Sequence, residues 1–213
     1  MKNRKIFTYI AFIIVTVVVF PGCSPKSVNS GKENLKSTSL SWIPFQNTES
    51  VVFEFDTLTM VFKGTGREQY YENVRYMTDQ SGFINSQTDY YADLERQFLA
   101  FDSPTTTYII NYYLERNKGE TGDWDILEIS MVVGDFYSNK IKKVLYETAG
   151  ADYGEIYKFK KSITISGKKF TDVYYRIQDR RPFEIYYTQL QGVVAFKLSS
   201  SEMWTIKVND TIK

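Results

Sequence analysis

The sequence predicts an all-β fold, an antiparallel barrel or sandwich of roughly ten strands built largely from consecutive hairpins. Three observations carry that expectation. Apolar and polar residues alternate over short stretches, those stretches are rich in β-branched and aromatic side chains, and Gly- and Ser-containing turns separate them. At 213 residues and 43% hydrophobic, with Tyr at 17 and Phe at 15, the chain has enough apolar material for one sizeable core.

Along the chain, "TLTMVFKG" (57–64) sets Leu58, Met60 and Phe62 against Thr57, Thr59 and Lys63, the period of a half-buried strand. "TDYYADLERQFLAFDS" (88–103) is ambiguous, because Tyr90, Leu94, Phe98 and Phe101 also fit helical spacing. A strand is expected there, since its neighbours are strands and sequential hairpins close locally. "TTTYIINYYLERN" and "WDILEISMVV", joined by the polar "KGETGD", form another hairpin. In "KSITISGKKFTDVYYRI" the turn is Ser166-Gly167-Lys168. In "GVVAFKLSSSEMWTIKV" one face carries Val194, Phe196 and Leu198, and after a Ser-rich turn one face carries Trp204, Ile206 and Val208.

Composition removes several function classes. There is no histidine, so histidine-based metal sites and Ser-His-Asp or Cys-His catalysis are excluded, and no metal or cofactor is expected. Three of the 26 basic residues lie in the first 22 positions, leaving 23 against 25 acidic ones. That balance gives no electrostatic reason for nucleic acid as a partner.

The chain begins "MKNRKIFTYIAFIIVTVVVFPGCSPK": a basic cluster, a largely apolar run from Ile6 to Phe20, then Pro21-Gly22 and the single cysteine, Cys23. The run is shorter than the roughly 20 residues a spanning helix needs, and the pattern is that of a secretory signal. A lone cysteine directly after a glycine at the end of such a run resembles the lipobox of bacterial lipoproteins. Phe20 and Pro21 stand where that family prefers an aliphatic and a small residue. The resemblance implies a removed signal over 1–22 and a Cys23 that carries acyl chains. It further implies a protein held at a membrane of the bacterial cell envelope, the outer membrane being expected. Residues 24–39 are rich in Ser, Lys and Asn, so 23–40 reads as the acylated cysteine and a flexible tether, and 41–213 as one all-β domain. "SITISGKKFTDVYYRI", "EIYYTQLQGVVAFKL" and the closing "MWTIKV" are also similar to a recurrent type of bacterial lipoprotein domain, a likeness that implies a fold and no activity.

Five tyrosine doublets stand out, at 70–71, 90–91, 112–113, 174–175 and 186–187. If residues 174–177 pair with 184–187, Tyr175 lies opposite Tyr186 and Tyr174 opposite Tyr187, giving each face of the hairpin an aromatic pair. Such pairs stabilise a sheet by roughly 0.2–1 kcal/mol, which alone accounts for them. A solvent-facing row would instead offer flat rings and hydroxyls to a glycan, lipid or peptide, with Trp42, Tyr112, Tyr174 and Tyr187 as the candidate ligand-binding residues. Trp204 is expected in the core, and Trp42 as a seal between the first strand and the domain. Paired carboxylates can hydrolyse glycosides without histidine, but Asp123 with Asp125, and Asp93 with Glu95, read as solvated surface acids. "KGTGRE" (63–68) lacks the ending of a phosphate loop and reads as a plain turn. The lysines at 158–161 and 139–143 read as edge charges that discourage strand-to-strand aggregation. The expectation is therefore a non-catalytic, envelope-anchored binding protein, or alternatively an accessory protein docking another envelope protein.

Overall fold

The computed structural model of the chain describes residues 26–80, 87–134, 137–148, 154–179 and 183–207. Cys23, the expected signal over 1–22 and Val208 lie outside the described residues. The described chain is nearly all β. Its strands are β1 (Lys26–Glu33), β2 (Ser50–Phe55), β3 (Leu58–Gly64), β4 (Glu68–Asp79), β5 (Thr88–Asp102), β6 (Tyr108–Lys118) and β7 (Asp123–Val133). They continue as β8 (Tyr137–Glu147), β9 (Lys158–Ile165), β10 (Lys168–Ile177), β11 (Glu184–Thr188), β12 (Gly192–Lys197) and β13 (Met203–Ile206), with one short helix, α1 (Ser37–Leu40).

All 13 strands share one sheet, which curls into an antiparallel, barrel-like half-shell of 11 strands in the order β8-β7-β6-β5-β3-β2-β13-β12-β11-β10-β9. Two runs of consecutive hairpins, β5 to β8 and β9 to β13, are joined by the β2–β3 hairpin. β13 pairs with β2 at Thr205↔Glu54, and β3 pairs with β5 at Gly64↔Phe101. The lysine-bearing strands β8 and β9 occupy the two ends of this order.

The ambiguous segment is a strand, and its length of 15 residues lets it serve two partners on one side. Residues 96–102 pair with β6, while 88–94 pair with β1, in parallel. β4 covers the opposite edge along nearly the whole strand. In the β9–β10 turn, Ser166 and Gly167 take φ of 46° and 78°, and Ile165 faces Lys168. That is the two-residue mirror-image turn that matches strand twist.

Opposite faces of the sheet bury two cores. The larger collects Phe53, Phe62, Leu99, Phe101, Leu114, Leu127, Ile129, Phe196 and Trp204, among others. The smaller collects Ile165, Phe170, Val173, Tyr175, Tyr186, Val194 and Ala195. The β9–β10 hairpin turns back so that Lys168 Nζ lies 2.7 Å from both Glu54 Oε1 and the Ile206 carbonyl oxygen. Val194 departs from the expected shared face with Phe196 and Leu198. Tyr186 pairs with Ala195 and Tyr187 with Val193, so Val194 is the extra residue of a bulge and turns into the second core. Leu58 likewise departs from Met60 and Phe62, which are buried, and remains exposed beside the β2–β3 turn.

The stretch expected to be a tether is, from Lys26 on, part of the fold. β1 joins the sheet, Leu35 and Ser39 are buried, and the reason lies in two buried carboxylates. Glu95 Oε2 accepts the Leu35 N–H at 2.9 Å. Asp125 Oδ2 accepts the Lys36 N–H at 2.9 Å and the Ser39 hydroxyl at 2.7 Å. Local composition described a soluble coil, but it could not show that acceptors elsewhere in the chain would take up these backbone donors.

Asp125 also pairs with buried Arg116 at 3.1 Å, so its loss leaves the Nη1 side of a buried guanidinium and two further donors without their acceptor, Asp123 holding only Nη2. Asp125→Ala is expected to lower stability by about 3–5 kcal/mol in urea unfolding. Amide exchange over 34–41 should accelerate more than exchange in β12.

Candidate functional site

The structure brings the four expected aromatic residues together, but as core rather than as an open platform. Trp42 stacks on Tyr187 at 6.4 Å and meets Tyr174 edge-on at 5.4 Å. Tyr187 in turn contacts Tyr112 and Tyr174 at 6.5 and 6.4 Å. Tyr112 is 2% exposed and Tyr187 1%. Their hydroxyls are internal staples, the Tyr112 oxygen accepting the Val193 N–H at 2.9 Å and the Tyr187 hydroxyl donating to the Trp42 carbonyl. Neither can meet a ligand. Gly192 makes this packing possible. Its φ is +75°, and a Cβ there would lie 2.5 Å from the Phe45 ring and 2.7 Å from the Tyr112 oxygen.

The half-buried side of the cluster is filled by the protein's own cation. Lys143 Nζ sits 5.4 Å from the Trp42 ring and 5.0 Å from each of Tyr157 and Tyr174. Burial lowers the pKa of this amine, and Glu155 partly opposes that. The hairpin register is the expected one, and the second row of rings, Tyr175 stacked on Tyr186 at 5.5 Å, belongs to the smaller core. Both rows of the doublets are thus used in packing.

A cleft of about 480 Å³ begins at the end of α1 and is lined by Leu40, Ser41, Gln46, Arg67, Gln69 and Gln97. Gln69 and Gln97 face each other across β4 and β5. Each amide donates to Glu95 Oε1, at 2.8 and 2.7 Å, which fixes its orientation and leaves its carbonyl oxygen as an acceptor. Gln46 is placed by Glu49, whose two carboxylate oxygens accept the Gln46 and Asn47 N–H groups at 2.9 and 2.8 Å. Partial burial alone would raise the Glu49 pKa, but these backbone donors outweigh it and hold the carboxyl below its ordinary range. Gly64 lets this loop approach the sheet, since a Cβ there would lie 2.8 Å from the Asn47 carbonyl oxygen.

Arg67 follows the β3–β4 turn. Its Nη2 donates to the Leu40 carbonyl oxygen at 3.4 Å, its Nε is buried with no acceptor, and among the described residues it has no ion-pair partner. Burial lowers its pKa and Glu95 opposes that, from a value so high that the group stays cationic.

Sequence reasoning missed this site. It read 63–68 as a turn and gave no weight to the glutamines, because residues from 40 to 97 carry no spacing that announces a shared cleft. The acids are corrected as well. Asp125 is fully buried in its pair with Arg116, Asp123 Oδ2 meets the same guanidinium at 2.6 Å, and Glu95 is buried at the back of the cleft. Chemically, the lining offers amide donors and acceptors and one positive charge, the Ser41 hydroxyl being engaged with the Thr38 carbonyl and the Gln189 amide. Compared with known families, curated proteins and solved structures, the chain matches no family model, no curated sequence and no solved structure.

The buried phenols predict a pH dependence. Burial raises the pKa of Tyr112, the Val193 N–H offsetting part of the shift, and burial likewise raises that of Tyr187, with the neighbouring phenols adding to it. Both stay protonated in the folded chain where unfolded tyrosine ionises, near 10.0. The folded state then holds more protons, so stability is intact below that pH and falls as pH rises beyond it. Tyr113, Tyr157, Tyr174 and Tyr186 are raised as well, chiefly by burial, so tyrosinate absorbance should show a group of late phenols, of which the buried Tyr112 and Tyr187 ionise together with loss of the near-ultraviolet circular dichroism.

Proposed function

We propose that this chain is a lipid-anchored protein of the bacterial cell envelope, held by Cys23 at the outer membrane, whose domain binds a glycan without acting on it chemically. The observation that carries the binding reading is the amide-lined cleft. Gln46, Gln69 and Gln97 present donors and acceptors from a loop and two paired strands, a lining suited to sugar hydroxyls. Its volume falls in the range of about 300–1,000 Å³ that small-molecule sites occupy. A lipid fits this lining less well, since Leu40 is the one aliphatic residue in it. The candidate base beside it, Glu95, has both oxygens engaged by donors, which supports a role in positioning rather than proton transfer.

The anchor reading rests on the sequence before residue 24 and on the course of β1. β1 starts at Lys26, three residues after Cys23, and pairs with β5. If Cys23 is acylated, the β1–β5–β4 end of the domain stands close to the lipid surface, because three residues span at most about 10 Å. A second reading has its own observation. β4 pairs only with β5 among the described strands, and Tyr70 and Tyr71 on it are 43% and 37% exposed. Such an edge suits strand addition by another envelope protein.

Two measurements test the main reading. Cys23→Ala should move the protein from the membrane fraction to the soluble fraction and abolish incorporation of labelled fatty acid; retention and labelling would refute the anchor. On an array of envelope oligosaccharides the wild-type protein should bind a defined subset, and Gln69→Ala should weaken that binding about tenfold, as the loss of one or two hydrogen bonds requires. An array that stays blank, with a protein captured through β4 instead, would replace this reading by the second.

A further inference from the structure

Building on the reading of the cleft as a glycan site, we infer that the sugar it takes is acidic, with a carboxylate or phosphate seated against the guanidinium of Arg67. The carboxylates around the cleft already have partners. Glu95 accepts from Leu35, Gln69 and Gln97, Glu49 from Gln46 and Asn47, and Glu72 pairs with Arg96 at 2.9 Å.

Arg67, the cation of the cleft, is the exception. A guanidinium carries five N–H donors, and this one makes a single long bond, 3.4 Å, to the Leu40 carbonyl oxygen. Its Nε is shut off from water and has no acceptor. Glu95 acts on Arg67 only at a distance, and a half-buried cation without a direct ion-pair partner is destabilising, which folds relieve by pairing the group unless a ligand supplies the pair. The two buried arginines among the described residues, Arg96 and Arg116, follow the rule. Arg96 has Glu72, and Arg116 has Asp123 and Asp125.

The position of Arg67 fits the remainder of the lining. The charge stands among Ser41, Gln46, Gln69 and Gln97, so a ligand that offers an anionic group to Arg67 places its hydroxyls among neutral amides. Arginine also matches carboxylate and phosphate with its planar fork, whereas a hydroxyl would satisfy only one donor at a time. Uronic acids and sugar phosphates share this chemistry. A neutral sugar would use the glutamines and leave Arg67 as it is.

The test uses the full-length protein purified in detergent and isothermal titration with three probes: galacturonate, glucose 6-phosphate and galactose. At least one acidic probe is expected to bind about tenfold or more tighter than galactose, the size of one charge-assisted bidentate contact. Binding of that probe should weaken with added salt, a readout that needs no variant. Arg67→Gln, which removes the charge and keeps an amide in the lining, should abolish both the preference for the acidic probe over galactose and its salt dependence. Preference for galacturonate would assign a carboxylate, and preference for glucose 6-phosphate a phosphate. Equal, salt-independent binding of all three probes would overturn the acidic-sugar inference and leave the cleft a glycan site. Absence of binding by any probe, together with a blank oligosaccharide array, would overturn both.

Discussion

The pairing of Arg116 with Asp125 is the constraint on which the rest of the molecule depends. Both side chains are buried, and breaking a buried charge pair is strongly destabilising because it leaves an uncompensated charge. Asp125 fills its remaining valences with the Lys36 N–H and the Ser39 hydroxyl, and Glu33 joins the same cluster through Lys118 at 2.5 Å and Arg116 at 3.8 Å. The polar N-terminal segment is thereby held across the sheet although it contributes few apolar side chains. Its course positions the residues that come next: Leu40 and Ser41 become one wall of the cleft, and Trp42 supplies the carbonyl that takes the Tyr187 hydroxyl. One buried charge pair thus positions both the open site and the aromatic core.

The curl of the sheet imposes a second requirement. β8 and β9 end the strand order, and between β8 and the β9–β10 hairpin side chains do much of the joining. Arg176 Nη1 donates to the Lys140 carbonyl oxygen at 3.1 Å, Gln178 Nε2 to Asn139 Oδ1 at 2.6 Å, and Ile156 forms a lone bridge with Lys142. Lys143, boxed by Trp42, Tyr157 and Tyr174, bridges the same seam. Strands that meet this way need cations and amides where a ladder would need only backbone. That gives some of the lysines on the terminal strands a positive structural role beyond discouraging aggregation.

The site is built on paired strands and a clamped loop rather than on exposed rings. Gln69 and Gln97 are fixed by their common acceptor Glu95, and Gln46 by Glu49 and by the close approach that Gly64 permits. A site of this kind binds through preorganised hydrogen bonds with little loss of side-chain freedom. The aromatic residues around Trp42, Tyr112 and Tyr187 act as filling and as staples.

What the sequence determined by itself is what local periodicity can carry. The alternation in 59–64, the Ser166-Gly167 turn and the 174–177 to 184–187 register were all legible, since side-chain direction in a strand repeats every two residues and a tight turn sets the pairing. Where a bulge inserts a residue, as at Val194, that period breaks and the sequence assigns the wrong face. Tertiary structure alone decided the rest. Whether Tyr112 faces water or Gly192, whether Asp125 is solvated or paired, and whether residues 26–40 are a tether or a docked strand and helix depend on partners dozens of residues away. The cleft belongs to this second kind. Its lining residues, polar but for Leu40, are unpatterned and scattered from 40 to 97, and only the folding of β4 onto β5 beneath the N-terminal segment makes them neighbours.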